Sequence, residues 1–207
     1  ILTACPVGIT GCTNPAPFTG GSDQEDDASL RSRILESYQR LPNGANAAWY
    51  EQTAMGHEGV AAARAVGRAR GIGTVDVYIA TAAGLPNGTL LAAVQADLQE
   101  RREIAVDVQV KAPAAVEMDV SAELAVREGT DFSAVKAAAE QALASFFSGR
   151  RLGGPVLLAE LGDLLYHVEG VENYRLLAPA ADLAAEDGTL PMLGRVTVTE
   201  MEADDDV

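Results

Sequence analysis

The stretch Val116-Glu-Met-Asp-Val-Ser-Ala-Glu-Leu-Ala-Val126 alternates apolar and polar side chains over its whole length. Val116, Met118, Val120, Ala122, Leu124 and Val126 fall on one face, and Glu117, Asp119, Ser121 and Glu123 on the other. Side chains of a strand point alternately to its two sides, so this is a strand with one face on a core and one in water. Such half-wet sheets are typically antiparallel. The carboxylates on the polar face are read as its solvated side, without a catalytic role.

Outward from this strand, helical and strand patterns alternate. Upstream, Val106, Val108 and Val110 alternate with Asp107 and Gln109, and Pro113 separates that strand from the long one. Leu90, Leu91, Val94 and Leu98 recur at helical spacing before it. Val75, Val77 and Ile79 form a further strand, joined to Val60–Val66 by a turn containing Gly71 and Gly73. Two strands about a glycine turn predict a hairpin. Earlier still, helices are expected over 30–41, opened by Asp26 or Asp27 and stopped by Pro42-Asn-Gly44, and over 47–56 with Trp49, Tyr50 and Met55.

Downstream, Asp131 is placed to cap a helix carrying Val135, Leu143, Phe146 and Phe147. Gly149, Gly153, Gly154 and Pro155 break it. A shorter helix follows with Leu158, Leu161, Leu165 and Val168, then a strand from Val171 to Leu177. Val196 and Val198 mark a last strand, after a long connection expected over 178–194.

The two halves read alike. Each runs helix, helix, Glu-Gly-Val, then a hairpin of two strands, the second about a longer turn: Glu58-Gly-Val60 precedes Arg64, and Glu169-Gly-Val171 precedes Arg175 at the same offset. The predicted fold class is α+β, two small mixed modules with mainly antiparallel sheets, packed helices and an approximate internal repeat. The expected domains are an extended arm or linker over 1–22, a first module over 23–111, and a second over 112–207 with an acidic C-terminal tail. The arm is rich in Pro, Gly and Thr. Its Cys5 and Cys12 are too few and too far apart for a disulfide scaffold or a zinc site. Because the chain opens on Ile1 and not Met, it is expected to be part of a longer one.

Composition excludes several functions. The 207 residues carry 15 Lys and Arg against 30 Asp and Glu, a formal charge of −15. Nucleic-acid affinity comes largely from cations displacing counterions, so phosphate backbones are disfavoured as partners. Anionic membrane surfaces are disfavoured for the same reason. No apolar run approaches the ~18 residues of a membrane span, so no membrane insertion is expected. The acidic clusters at 23–27 and 200–206 read first as solubilising runs and second as docking sites for a basic partner.

The catalytic search finds no candidates: catalytic residues, cofactor-binding residues and metal ligands are all expected to be none. The phosphate-loop, nucleophile-elbow and H-E-x-x-H patterns are missing. Gly71-Ile-Gly73 leads into a strand, whereas a dinucleotide site must open a helix. His57 and His167 stand in different modules and read as helix-terminating residues that oppose the dipole. Arg64, Arg68, Arg70, Arg101, Arg102, Arg150 and Arg151 read as surface ion pairs or as docking points for acidic neighbours. Trp49 and Tyr50 read as core, with an interface role as the other option. A carboxylate-based hydrolase and a ferredoxin-like RNA-binding module are the alternatives; the second requires basic, aromatic strand faces, and these are acidic.

A series of motifs supplies a resemblance. Thr19-Gly-Gly-Ser-Asp-Gln-Glu25 with Leu30-Arg-Ser-Arg-Ile34, then Gly44-Ala-Asn-Ala-Ala-Trp-Tyr50, Gly59-Val60 to Arg64-Ala-Val66, Gly73-Thr-Val-Asp-Val-Tyr-Ile79 and Gly170-Val-Glu-Asn-Tyr174 resemble, in order and spacing, the baseplate J-like family of contractile phage and prophage tails. The resemblance covers residues 14–200. It implies a structural wedge protein of the virion baseplate, synthesised in the bacterial cytoplasm. Such a protein assembles with other wedge and hub proteins in a multi-subunit ring and supports sheath contraction. It also implies a further N-terminal region beyond this sequence.

Overall fold

The computed structural model describes residues 46–201, together with Asp27, Leu30, Arg31, Ile34, Leu35 and Tyr38, which are helical. The arm with Cys5 and Cys12, Asp26, Leu41, the Pro42-Asn-Gly44 stop and most of the acidic tail lie outside the described residues. Contacts group the chain into Ile1–Arg40 and Leu41–Val207, and both sheets belong to the second unit.

The first module runs α1 (Ala47–Met55), β1 (Ala62–Gly67), β2 (Thr74–Ala80), α2 (Gly88–Arg101) and β3 (Asp107–Lys111). Asn46 and Asn87 open the two helices by accepting from the Trp49 and Leu90 amides, at 3.0 and 2.8 Å. Each satisfies an amide that has no partner within its helix. The strands lie in the order β1-β2-β3. β1 and β2 form the expected antiparallel hairpin, and β3 joins β2 in parallel after the α2 crossover. Val77, Ile79, Val94, Leu98, Val108, Tyr50 and Ala54 form its core.

The second module runs β4 (Ala114–Val126), α3 (Phe132–Phe146), a 3-10 turn (Gly149–Arg151), α4 (Leu158–Tyr166), β5 (Val171–Ala178) and β6 (Thr189–Glu200). The apolar face of β4 is buried as its alternation predicts, with Val120, Ala122 and Leu124 at most 1% exposed. It packs on Val135, Ala139 and Leu143 of α3 and on Leu161 and Leu165 of α4. Asp131 caps α3 at the Ser133 amide, as read from the sequence. No side chain caps α4 from within; Asp182, from the loop before β6, accepts from the Leu158 amide at 2.7 Å.

The α+β class and the two modules hold, with three details corrected. Each sheet has one antiparallel and one parallel pairing, where antiparallel pairing was expected to dominate. The second hairpin does not form: the order is β5-β4-β6, so β4 separates the two strands that were expected to pair. What the halves share is local. Gly59 and Gly170 have φ of 90° and 92°, and the Val60 and Val171 amides each donate 3.1 Å back to the carbonyl three residues before. Glu-Gly-Val thus reports a helix-to-strand turn, while strand order is set by non-local pairing. Finally, β6 begins at Thr189, inside the expected connection. Pro191 and Gly194 suggest a loop, yet β6 is an edge strand, where a missing amide hydrogen costs no ladder bond. A bulge accompanies Gly194: Asp119 Oδ1 accepts from the Arg195 amide at 2.7 Å where the β4–β6 register shifts.

The modules meet at a third cluster of Ala80, Leu152 and Leu190, with Ala62, Tyr78 and Met192 packed on it. Gly149 and Gly188 make the approach feasible. A Cβ on Gly149 would sit 1.7 Å from the Thr81 carbonyl oxygen, and one on Gly188 would sit 2.7 Å from the Tyr78 ring. Arg64 Nε donates to Asp187 Oδ1 across the same junction at 2.7 Å.

Candidate assembly surfaces

His57 and His167 each have a partner of their own. His57 Nε2 lies 3.0 Å from Asp97 Oδ2, and Arg101 Nε completes that group at 2.8 Å from Asp97 Oδ1. His167 terminates α4, with Nδ1 2.8 Å from the Asp163 carbonyl oxygen. Among the described residues there is no cluster of three metal-ligating side chains and no helix long and apolar enough to cross a membrane.

Several of the described arginines act within the fold. Arg70 and Lys111 converge on Asp76, whose side chain is 3% exposed, at 2.7 and 2.5 Å, and Arg70 also reaches Asp107. Burial alone would raise the Asp76 carboxyl, but the two hydrogen-bonded cations hold it below the ordinary carboxylate value. This group ties the start of β3 to the β1–β2 turn. Arg102 donates to the carbonyls of Glu103, Ile104 and Val106, pinning the loop into β3. Arg151 pairs with Glu160 at 2.7 Å and lies 3.6 Å over the Phe146 ring. Arg175 meets Glu123 at 3.1 Å. Tyr50 is core and donates to Glu103 at 3.2 Å; burial and the Glu103 charge push its hydroxyl up to about 12. Trp49 packs edge-on against it, centroids 4.9 Å apart.

Two residues passed over in the sequence reading guard the edges of the first sheet. Gln95 of α2 lies along β3: its Nε2 donates to the Val108 carbonyl at 3.0 Å and its Oε1 accepts from the Val110 amide at 2.6 Å. Glu51 of α1, 4% exposed, accepts from the Ala65 amide of β1 at 3.0 Å. An unpaired edge is a template for unwanted strand addition, and both edges here are covered by a helix side chain. Nothing in the sequence marks either residue, because the burial of Glu51 and the reach of Gln95 along β3 exist only in the fold.

In these two small α+β modules Arg102, Gln95 and Glu51 hold backbone groups of their own module, and Arg64 pairs with Asp187 between the modules. Residues 42–112 match the Baseplate J-like central domain, and residues 118–199 match the Baseplate J-like protein C-terminal domain. The chain belongs to the baseplate J-like family. It is 29% identical to Baseplate protein J of Escherichia phage P2 over 163 residues, 77% of this chain and 54% of that one. It is 24% identical to the phage-like element PBSX protein XkdT of Bacillus subtilis strain 168 over 192 residues, 87% of this chain and 55% of that one. The chain thus spans about half the length of the curated relatives it matches. A chain in the cryo-EM structure of the anti-feeding prophage baseplate, 6-fold symmetrised, shares the fold at a TM-score of 0.56 and 14% identity, over 84% of this chain and 43% of that one.

Proposed function

We propose that this chain is a structural part of a contractile phage-like tail baseplate. It is a wedge component that assembles around the hub with other wedge proteins and supports sheath contraction. The observation that carries this reading is the succession of central and C-terminal family domains along one chain. The ion pairs at Asp76 and between Arg64 and Asp187 support it, since they tie strands and modules together. In this reading the protein acts in the tail baseplate of a phage or prophage particle after synthesis in the bacterial cytoplasm. It is no enzyme, binds no nucleic acid and enters no membrane. Residues 1–22 are an arm that orders against a partner, followed by modules over 23–111 and 112–207.

Negative-stain imaging of particles from a strain carrying an epitope on this chain tests the placement, with the tag expected at the tail baseplate. A tag on the capsid, or unaltered intact tails from a strain lacking the gene, would overturn it. A pH–rate profile on generic esters and glycosides, expected flat at background, tests the enzyme alternative. Limited proteolysis of the isolated chain is expected to trim it to near Asp23.

A further inference from the structure

The connection between β5 and β6, residues 179–188, contains neither a helix nor a ladder strand, yet it is fastened along its length. Its ties to the second module involve the backbone. Leu183 and Val156 exchange both amide–carbonyl bonds, at 2.9 and 3.0 Å, and the Gly188 carbonyl accepts from the Ala114 amide of β4 at 2.8 Å. Asp182 adds the bond to the Leu158 amide that opens α4, at 2.7 Å. Val156 and Gly188 are buried, so leaving these backbone groups unpaired would be costly.

Toward the first module the same connection is held less firmly. Its polar tie there is the Arg64–Asp187 pair, whose side chains are 43% and 47% exposed. An ion pair this exposed is weak, because water screens it and its side chains must be held still. Nearby, the Gly149 amide donates to the Ala82 carbonyl at 3.4 Å, beyond the usual range for such a bond. The apolar cluster of Ala80, Leu152 and Leu190 is much smaller than either module's own core. Gly149 and Gly188 let the modules sit close, but a glycine adds no side chain to hold them. In the chain itself only Ala112 and Pro113 separate the end of β3 from the start of β4. The Pro113 ring keeps Ala112 extended, so a pivot at this point has few settings.

We propose that residues 179–188 form a releasable strap. It stays with the second module, and when Asp187 lets go of Arg64 the first module swings about Ala112-Pro113 while both modules keep their folds. The unequal fastening decides which side lets go. Relative motion is the rule where a small interface joins two bodies that each carry their own core. The chain thus has a closed arrangement, the one described, and an open one. A partner that binds one of them better shifts the balance between them. This goes beyond the baseplate reading and does not depend on it.

The test uses the full chain with Cys5→Ser and Cys12→Ser, and nitroxide labels on Ile72→Cys and Leu177→Cys. These positions are 94% and 51% exposed, one on each module. Double electron–electron resonance is expected to show a main distance and a minor second one. Asp187→Ala should raise the minor population by roughly two- to fivefold, the scale of an exposed ion pair. In the unlabelled chain it should speed exchange of the Gly149 amide by the same factor, since that amide is freed when the junction opens. The Leu183 and Ala114 amides, bonded on the strap's own side, should exchange as in the parent. Arg64→Asp combined with Asp187→Arg should return both readouts to the parent values. Either readout left unchanged by Asp187→Ala makes the modules one rigid body and overturns the proposal. Faster exchange at Leu183 or Ala114 alongside Gly149 means that the strap itself melts, which also overturns it. Far-UV circular dichroism checks that Asp187→Ala keeps its secondary structure; if it does not, Arg64→Gln carries the same comparison.

Discussion

Asp76 shows how one residue can be read two ways. In the sequence it alternates with Val75 and Val77 and belongs to the polar side of a half-buried strand. In the fold it is 2% exposed and receives two cations, Arg70 from the turn and Lys111 from the end of β3. Its folded value lies below that of the unfolded chain, so its stabilising contribution is fully present above the ordinary carboxylate value and is lost as pH falls through the folded one. Urea midpoints taken from neutral to acid pH should therefore fall in that window, and Asp76→Asn should flatten the fall. At neutral pH Asp76→Ala should cost about 1–3 kcal/mol, the scale of removing one partner from a buried hydrogen-bonded group. The sequence could not reveal this, because Lys111 reaches Asp76 only once β3 lies parallel to β2.

At the scale of elements, periodicity locates strands and helices but not their neighbours. The alternation over Val116–Val126 marked β4, and Asp131 marked the start of α3, because both are local signals. That β4 would separate β5 from β6 depends on backbone groups far apart in the chain. The edges are the same kind of case. Gln95→Ala should leave the Val108 carbonyl and Val110 amide without their side-chain partner, at a cost of about 1–2 kcal/mol. Thermal unfolding reads the loss, and static light scattering on warming should show earlier aggregation than in the parent. Gln95→Glu, which keeps the acceptor and loses the donor, should fall between the two.

For the whole molecule, the junction between modules depends on glycine. Gly149→Ala would place a methyl 1.7 Å from the Thr81 carbonyl oxygen, so the backbone must move. The expected loss is about 1–3 kcal/mol, the scale of overpacking. A urea titration that splits into two steps would report modules unfolding separately. Gly67→Ala is the control: nothing lies within 4 Å of its added carbon, and stability should stay within about 0.5 kcal/mol. Elemental analysis of the dialysed chain is expected to find no stoichiometric zinc or iron, since each histidine is held by its own carboxylate or helix and the described residues bring no three ligands together.

The sequence by itself determined the class and the family: alternation and helical spacing are written in neighbouring residues, and the motif series spans both modules. The −15 charge and the missing reaction motifs turned the reading away from nucleic acid and catalysis. Only the tertiary structure decided the strand order, the parallel pairs, the glycine-lined junction and the side chains covering the sheet edges. These depend on residues distant in sequence, such as Gly149 and Thr81 or Arg64 and Asp187, meeting across a space that no local pattern encodes.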